Sequence, residues 1–306
     1  MSDSHMSDQL SHQDFMRHLS NAEKRELTAK SNTSATIRLA TVVCLLCIFS
    51  TVILNQQLPY WSLFLLPQGL LIVSLFHLLH ECIHDTPFRN RNLNPLIASI
   101  CGFILLLPSE WFRYFHRDHH RYTQIEGKDP ELESAKPATK IQWLIHITGI
   151  PVFISLVKVI FRCASGTTDD SFIPTSARKK VITQARIMSF LYAALFIICA
   201  VLQNTSLLWI WTIPLITGQP FLRLYLLAEH TLCDKTDDMF LNTRTVLTNP
   251  AVRWFTWNMP YHTEHHVFPA VPFDKLPALH RKMNRYLKHK NRSYSQFNRQ
   301  LYTTLR

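Results

Sequence analysis

The sequence predicts an all-α integral membrane protein of about four transmembrane helices in two hairpins, with interfacial helices and a cytoplasmic helical cap. Three observations predict it. Charged residues make up only 17% of the 306-residue chain, where soluble domains carry about a quarter. The deficit is concentrated, with no Asp, Glu, Lys or Arg between Leu39 and His80 and none between Ile187 and Leu222. None of the 32 Lys and Arg residues falls in a turn of either proposed hairpin.

Each charge-free window holds about two spans of the ~17–25 residues that a transmembrane helix needs. Each is broken near its middle, the first by Asn55-Gln56-Gln57 and Pro59, the second by Gln203-Asn204-Thr205-Ser206. The expected helices are therefore about 38–57 with 60–80, and about 187–203 with 206–227. Buried helices of a soluble core are the alternative, but such cores rarely supply two long charge-free windows. Basic residues lie before, between and after the hairpins, with Arg223 near the inner end of the last helix. By the positive-inside rule both termini and the central segment face the cytoplasm. This topology accounts for the net charge of +11, which then gives no lead to nucleic acid.

Two further apolar stretches, Asn92–Ser109 and Ile141–Val157, are short and interrupted by Pro95, Pro108, Gly149 and Pro151. Helix breakers at that density point to interfacial or re-entrant segments, and one more hairpin is the alternative. The first 36 or so residues are polar and lack the apolar core of a cleavable signal. Met6-Ser7-Asp8 repeats Met1-Ser2-Asp3, as an alternative start or an added leader would leave. The expected organisation is an N-terminal cytoplasmic segment 1–36, a membrane domain 37–285 and a basic tail 286–306. Seven cysteines are present, and the one CxxC, Cys44 and Cys47, lies in an apolar helix with no second pair. Free thiols are expected.

The chemistry lies in the 16 histidines. His80-Glu81-Cys82-Ile83-His84 reads HxxxH, and HxxHH occurs twice, at His116, His119, His120 and at His262, His265, His266. Positions i, i+3 and i+4 share a helix face, so each box aims two or three imidazoles at one point. Imidazole suits iron, zinc and copper. Three boxes offer too many nitrogens for one tetrahedral zinc and about enough for two metals of higher coordination. The topology, read from charge alone, places all three at the same membrane face. It returns His230 to that face as a ninth candidate ligand. His77, one turn before His80, reads as a packing or supporting residue, His146 as structural, and His5, His12, His18, His280 and His289 carry no assigned role. Glu81, Asp118, Glu229 and Glu264 lie in or beside the boxes and are candidate acceptors for the second N–H of a ligating imidazole.

These boxes in this order, the hairpin between the second and third, Glu229-His230 after it, and the run Asn258-Met259-Pro260-Tyr261-His262-Thr263-Glu264-His265-His266-Val267-Phe268-Pro269 resemble the membrane fatty acid desaturase and hydroxylase superfamily. Pro272-Phe273-Asp274-Lys275-Leu276-Pro277 is similar to that family as well, and the resemblance covers roughly residues 60–285. It implies a four-helix membrane domain whose cytoplasmic cap carries two non-haem iron ions. It also implies an O2-dependent oxidation of an unactivated C–H bond in a fatty acyl or other lipid-like substrate. Loss of a second hydrogen gives a double bond, the expected outcome; hydroxylation or ketolation is the alternative. An alkyl C–H has neither an acidic proton nor a leaving group, so a redox metal must carry the hard step. The sequence shows no cytochrome b5 segment and no ferredoxin-like cysteine set, so a separate ferredoxin or cytochrome b5 type donor is expected.

Two other readings account for less. HECIH also matches the HExxH motif of zinc proteases, which needs one more ligand and leaves both HxxHH boxes unexplained. A metal transporter would place ionisable residues within its spans, whereas here the boxes sit at or beyond the helix ends.

Overall fold

The computed structural model describes residues 10–306; the repeated Met-Ser-Asp and His5 lie outside the described residues. Two short helices, α1 (His12–His18) and α2 (Asn21–Leu27), open the chain, N-capped by Ser11 and by a Ser20–Glu23 capping box. The helix α3 (Asn32–Leu54) and a 3-10 turn at Trp61–Phe64 lead into α4 (Leu65–Ile83). Then follow α5 (Leu93–Leu105), α6 (Ser109–Tyr122), α7 (Lys140–Ile147), α8 (Ile150–Ser165) and α9 (Thr175–Val201). A π-turn at Leu208–Thr212 opens α10 (Ile213–His230). The rest is a cap of short elements: α11 (Met239–Asn242), β1 (Arg244–Val246), α12 (Pro250–Phe255), α13 (His262–Val267), α14 (Leu276–Met283), β2 (His289–Asn291) and α15 (Tyr294–Thr304). The strands form one parallel pair in the register Arg244↔His289, Thr245↔Lys290 and Val246↔Asn291.

The class is the expected one, predominantly helical with apolar spans. Three helices are long and apolar enough to cross a membrane, ending at Leu54, Ile83 and Val201, or up to five if each of two bent pairs is one span. The bent pairs are α5 with α6, at 101°, and α7 with α8, at 55°. The expected fourth span, α10, is not among the three. It carries Pro214, Pro220, Arg223 and Glu229, and the π-turn splits it from the residues before it. Large apolar side chains such as Phe190, Phe196 and Val201 of α9 point outward, as lipid-facing residues do.

Helix α4 is the central post. It is buried almost continuously from Leu71 to Ile83, with α3, α5 and α10 packed around it. The approach of α10 depends on two glycines. A Cβ on Gly69 would lie 2.3 Å from the Pro214 carbonyl oxygen, and one on Gly218 would lie 2.4 Å from the Gly69 oxygen. Small residues let apolar helices meet backbone to backbone where no hydrophobic force separates helix from lipid. The Gln68 amide adds a polar tie, donating to Ser50 Oγ (2.9 Å) and to the Ile210 carbonyl (3.0 Å).

The bend between α5 and α6 is stabilised by side-chain donors. The last carbonyls of α5 lack helical partners. Tyr192 Oη donates to the Phe103 oxygen (2.7 Å) and Trp211 Nε1 to the Ile104 oxygen (2.8 Å). At the other side of the bend Gln184 Oε1 accepts from the Glu110 N–H (2.8 Å), and its amide donates to Ser99 and Ser109. Gln184 therefore fixes the N-terminus of the helix that carries the second box.

The first and last described helices pack into the same body. Phe15, Leu19 and Leu27 are buried in the main core, and Phe297, Leu301 and Leu305 pack with Leu227 and Ala228 of α10. All seven cysteines are free.

Candidate metal centre

Four segments deliver histidines to one place. His80 and His84 end α4, the second box occupies the last turns of α6, His230 ends α10, and the third box forms α13. The side chains fall into two groups of ligand atoms, each lying within 4.8 Å of one another. One group is His80, His84, His116, His120 and His265; the other is His119, His230 and His266. His262 joins the second through its Nε2, 3.1 Å from both His230 Nε2 and His266 Nε2. All nine histidines singled out by sequence are thus brought together, and the groups adjoin where the His120 and His266 rings stack at 4.0 Å.

The hydrogen bonds behind the second group fix its tautomers. His119 Nδ1 lies 2.9 Å from Asp129 Oδ1, so it carries the proton. His230 Nδ1 lies 3.1 Å from the Asn242 carbonyl, which can only accept. Thr123 donates its hydroxyl hydrogen to the His119 carbonyl (2.7 Å), so it accepts from His266 Nδ1 at 3.2 Å. As neutral rings, all three present Nε2 lone pairs inward; at His119 burial favours the neutral form, but Glu131 and then Asp129 outweigh it and raise the pKa. Yet His119 Nε2 and His230 Nε2 are 3.2 Å apart. Two buried acceptors at that distance repel unless a cation lies between them, either a proton on His119 or a metal ion. The first group shows the same crowding, with His120 Nε2 at 2.9 Å from His116 Nε2 and 3.1 Å from His265 Nε2. His80 Nδ1 and Nε2, His84 Nε2, His120 Nδ1, His262 Nδ1 and His265 Nδ1 are buried without any hydrogen-bond partner. Each such atom costs about 1–3 kcal/mol, a cost that metal ligation would offset at one nitrogen each of His80 and His84, whereas the Nδ1 atoms of His120, His262 and His265 lie on the far side of rings whose Nε2 faces the cluster. Burial first, and neighbouring imidazoles second, hold His262, His265 and His266 well below the ordinary histidine range, so they are neutral, as ligands must be. The residues present fit a histidine-rich pair of metal sites.

The predicted acids divide. Glu229 Oε1 faces His262 Nδ1 at 3.4 Å, and Glu81 Oε1 faces His265 Nδ1 at 4.0 Å. Glu81 also accepts from Thr86 Oγ1 (2.7 Å) and the Phe273 N–H (3.0 Å), tying the first box to the loop after the third. Glu264 accepts from Thr245 Oγ1 (2.6 Å) and pairs with His280, anchoring α13 to β1 and α14. Among the described residues Asp118 makes no hydrogen bond to a boxed histidine. It precedes His119 by one residue, and neighbouring helical positions point about 100° apart. The acceptor for His119 is instead Asp129, which sequence reasoning missed. Glu131, also missed, places Oε2 3.4 Å from His119 Nε2. Burial opposes its charge, but Lys136, then His119 and His230, hold its pKa well below the usual carboxylate range, so it is an anion. His280 is the third omission. His77 belongs to neither group; its Nδ1 meets the Ser74 carbonyl and its ring packs on Tyr225. A cavity of about 720 Å³, lined by Asp129, Lys136 and His230 among others, reaches the second group.

Comparison with known proteins agrees with this geometry. The family profile described as "Fatty acid desaturase" matches residues 18–298. Among curated relatives, a sphingolipid delta(4)-desaturase/C4-monooxygenase of Rattus norvegicus is 26% identical over 232 residues, covering 71% of this chain and 63% of its own length. The fatty acid desaturase of Bacillus subtilis is 22% identical over 267 residues, 74% of each chain. A chloroplastic omega-3 fatty acid desaturase of Glycine max is 23% identical over 236 residues, 69% of this chain and 51% of its own. The chain thus spans less than two thirds of the length of the sphingolipid relatives it matches. With a profile match across most of its length and a nine-histidine cluster at its centre, the chain belongs to the fatty acid desaturase family.

Proposed function

We propose that this protein is an O2-dependent membrane lipid desaturase whose histidine cluster holds two iron ions. The observation that carries this reading is the convergence of nine imidazoles from separate helices on two adjoining points. When bound, the iron pair supplies the redox chemistry that an unactivated methylene requires. The ligands are proposed as His80, His84, His116, His120 and His265 for one ion and His119, His230, His262 and His266 for the other. Asp129, the Asn242 carbonyl and Thr123 hold the rings of the second group with Nε2 inward, and Glu81, Glu229 and Glu264 brace the third box. The acids expected to support ligands are thus reassigned, Asp129 taking the place expected of Asp118.

We further propose four spans in two hairpins, with α10 as the last and both termini and all boxes on the cytoplasmic face. The absence of Lys and Arg from the hairpin turns supports it. Electrons then come from a separate ferredoxin or cytochrome b5 type protein docking at that face. The substrate is a fatty acyl or related lipid, as the printed names of the relatives suggest. One relative's name joins a desaturase to a monooxygenase, so hydroxylation is the second reading; the outcome turns on where the substrate carbon sits relative to the metals.

Lipid profiling of a producing host separates the two. Desaturation gives an O2-dependent product two mass units lighter than its precursor, absent in a His265→Ala strain; hydroxylation gives one sixteen units heavier. An unchanged profile under aeration, with the protein present and iron-loaded, would leave the desaturase reading without support.

A further inference from the structure

A groove between α5 and α9 lies apart from the nine histidines. Gln184 of α9 donates to Ser99 of α5 (3.1 Å), and further along Tyr192 stacks on Phe103. The two helices therefore run in the same direction and begin at the same end. Between them is a cavity of about 980 Å³. Leu96, Ile100, Phe103, Ile187 and Leu191 line its length, and all but Phe103 are exposed. Asn92, Ser176, Lys179 and Lys180 line the end where both helices begin.

Its length is that of one leaflet. From Ser176 to Leu191, α9 rises ~22 Å, and half of a bilayer with its headgroup layer is about 20–22 Å. With 27 residues, α9 is ~40 Å long, about 10 Å more than the hydrocarbon core. Its charge-free part begins at Ile187. The turns carrying Lys179 and Lys180 therefore stand at headgroup level, and Ile187 and Leu191 stand among the chains. The polar end is basic. Among the described residues Lys179 makes no ion pair or hydrogen bond. Glu110, the acid beside it, is answered by Lys180 at 2.9 Å and by Arg113 at 3.9 Å. No side chain caps the first turn of α5 or α9, and open helix N-termini attract phosphate. Basic pockets between membrane helices bind anionic headgroups in this way. A neutral lipid would leave Lys179 without a partner, and a soluble anion would leave the apolar walls uncovered.

We propose that this groove binds one phospholipid of net negative charge, its phosphate against Lys179 and the start of α9, and an acyl chain between α5 and α9. The site rests on the membrane setting of α9 and not on the metals. Gln184 forms part of its wall and also accepts from the Glu110 N–H at the start of α6 (2.8 Å). The bound lipid thus braces the bend that leads into the second box.

The test titrates full-length, detergent-purified protein with phosphatidylglycerol or with phosphatidylcholine of the same chains, read by native mass spectrometry. Wild type should bind one phosphatidylglycerol saturably, about fivefold or more tightly than phosphatidylcholine. K179Q should lose about fivefold in affinity for phosphatidylglycerol and none for phosphatidylcholine. I100W fills the groove from an exposed position and should abolish saturable binding of both. K158Q, on an exposed face of α8 outside the groove, should match wild type. Size-exclusion chromatography checks that each variant is folded. Equal affinity of wild type for the two phospholipids, equal loss in K158Q and K179Q, or undiminished binding in folded I100W would overturn the proposal. Displacement of phosphatidylglycerol by an equimolar diacylglycerol, which lacks the phosphate, would overturn it too.

Discussion

Replacing His119 with alanine is expected to reduce turnover by more than about 100-fold while leaving the protein folded and membrane-inserted. The ring is one of three whose Nε2 atoms are aimed inward, and its backbone lies in a helix end held by other bonds. The Thr123–His119 carbonyl bond survives the substitution, so His266 keeps its orientation. The second metal position should be lost and the five-histidine group retained. Iron analysis alongside size-exclusion chromatography checks this. Undiminished activity in folded His119→Ala protein would remove His119 from the ligand set.

The second large effect is expected at Asp129, which touches no metal. Its carboxylate can only accept, and so forces the proton of His119 onto Nδ1. In Asp129→Asn the new amide could rotate and offer N–H to the ring instead, turning the lone pair outward and the proton toward the metal. Loss of such a supporting partner typically costs 10–100-fold in metal affinity or activity, and this variant should fall in that range. The Gln124 N–H is received by Oδ2 and the Glu131 N–H by Oδ1, so an amide that turns its NH2 to His119 keeps only the Gln124 bond, and loosening of the loop adds to the loss. Equilibrium dialysis against a calibrated chelator reads the change. An affinity within about twofold of wild type would show that the tautomer is set elsewhere.

These residues mark where sequence reasoning reached and where it stopped. The boxes were legible because helical spacing is local, and i, i+3, i+4 aims imidazoles at one point in any fold that keeps the helix. That the three boxes meet was legible because charge asymmetry, which needs no tertiary contact, put them at the same ends of the expected spans. Asp129 was not legible. It reaches His119 by way of a turn through Gln124 (φ 63°) and Gly127 (φ 73°), a reversal that periodicity does not encode. Asp118 attracted attention by adjacency, but the rule that aligns His116, His119 and His120 turns Asp118 away. Glu264 was expected to receive a ligating imidazole and instead accepts from Thr245 and pairs with His280, which approaches from α14 across an irregular loop. Pro108 marked the end of the apolar stretch Asn92–Ser109 but not the 101° bend that follows it. The donors that make it tolerable, Tyr192 and Trp211, come from positions 89 and 107 residues away along the chain and left no local trace. The fourth helix was harder to delimit, since the π-turn at Leu208–Thr212 and the prolines after it break the regular repeat.

The pairing of two metal positions is the central claim, and metal content per chain tests it most directly. Elemental analysis of wild-type protein, purified in detergent from iron-replete cells, should find about two iron ions per chain and little zinc. One zinc per chain with negligible iron, persisting after growth in excess iron, would contradict the account and return the first box to the HExxH reading.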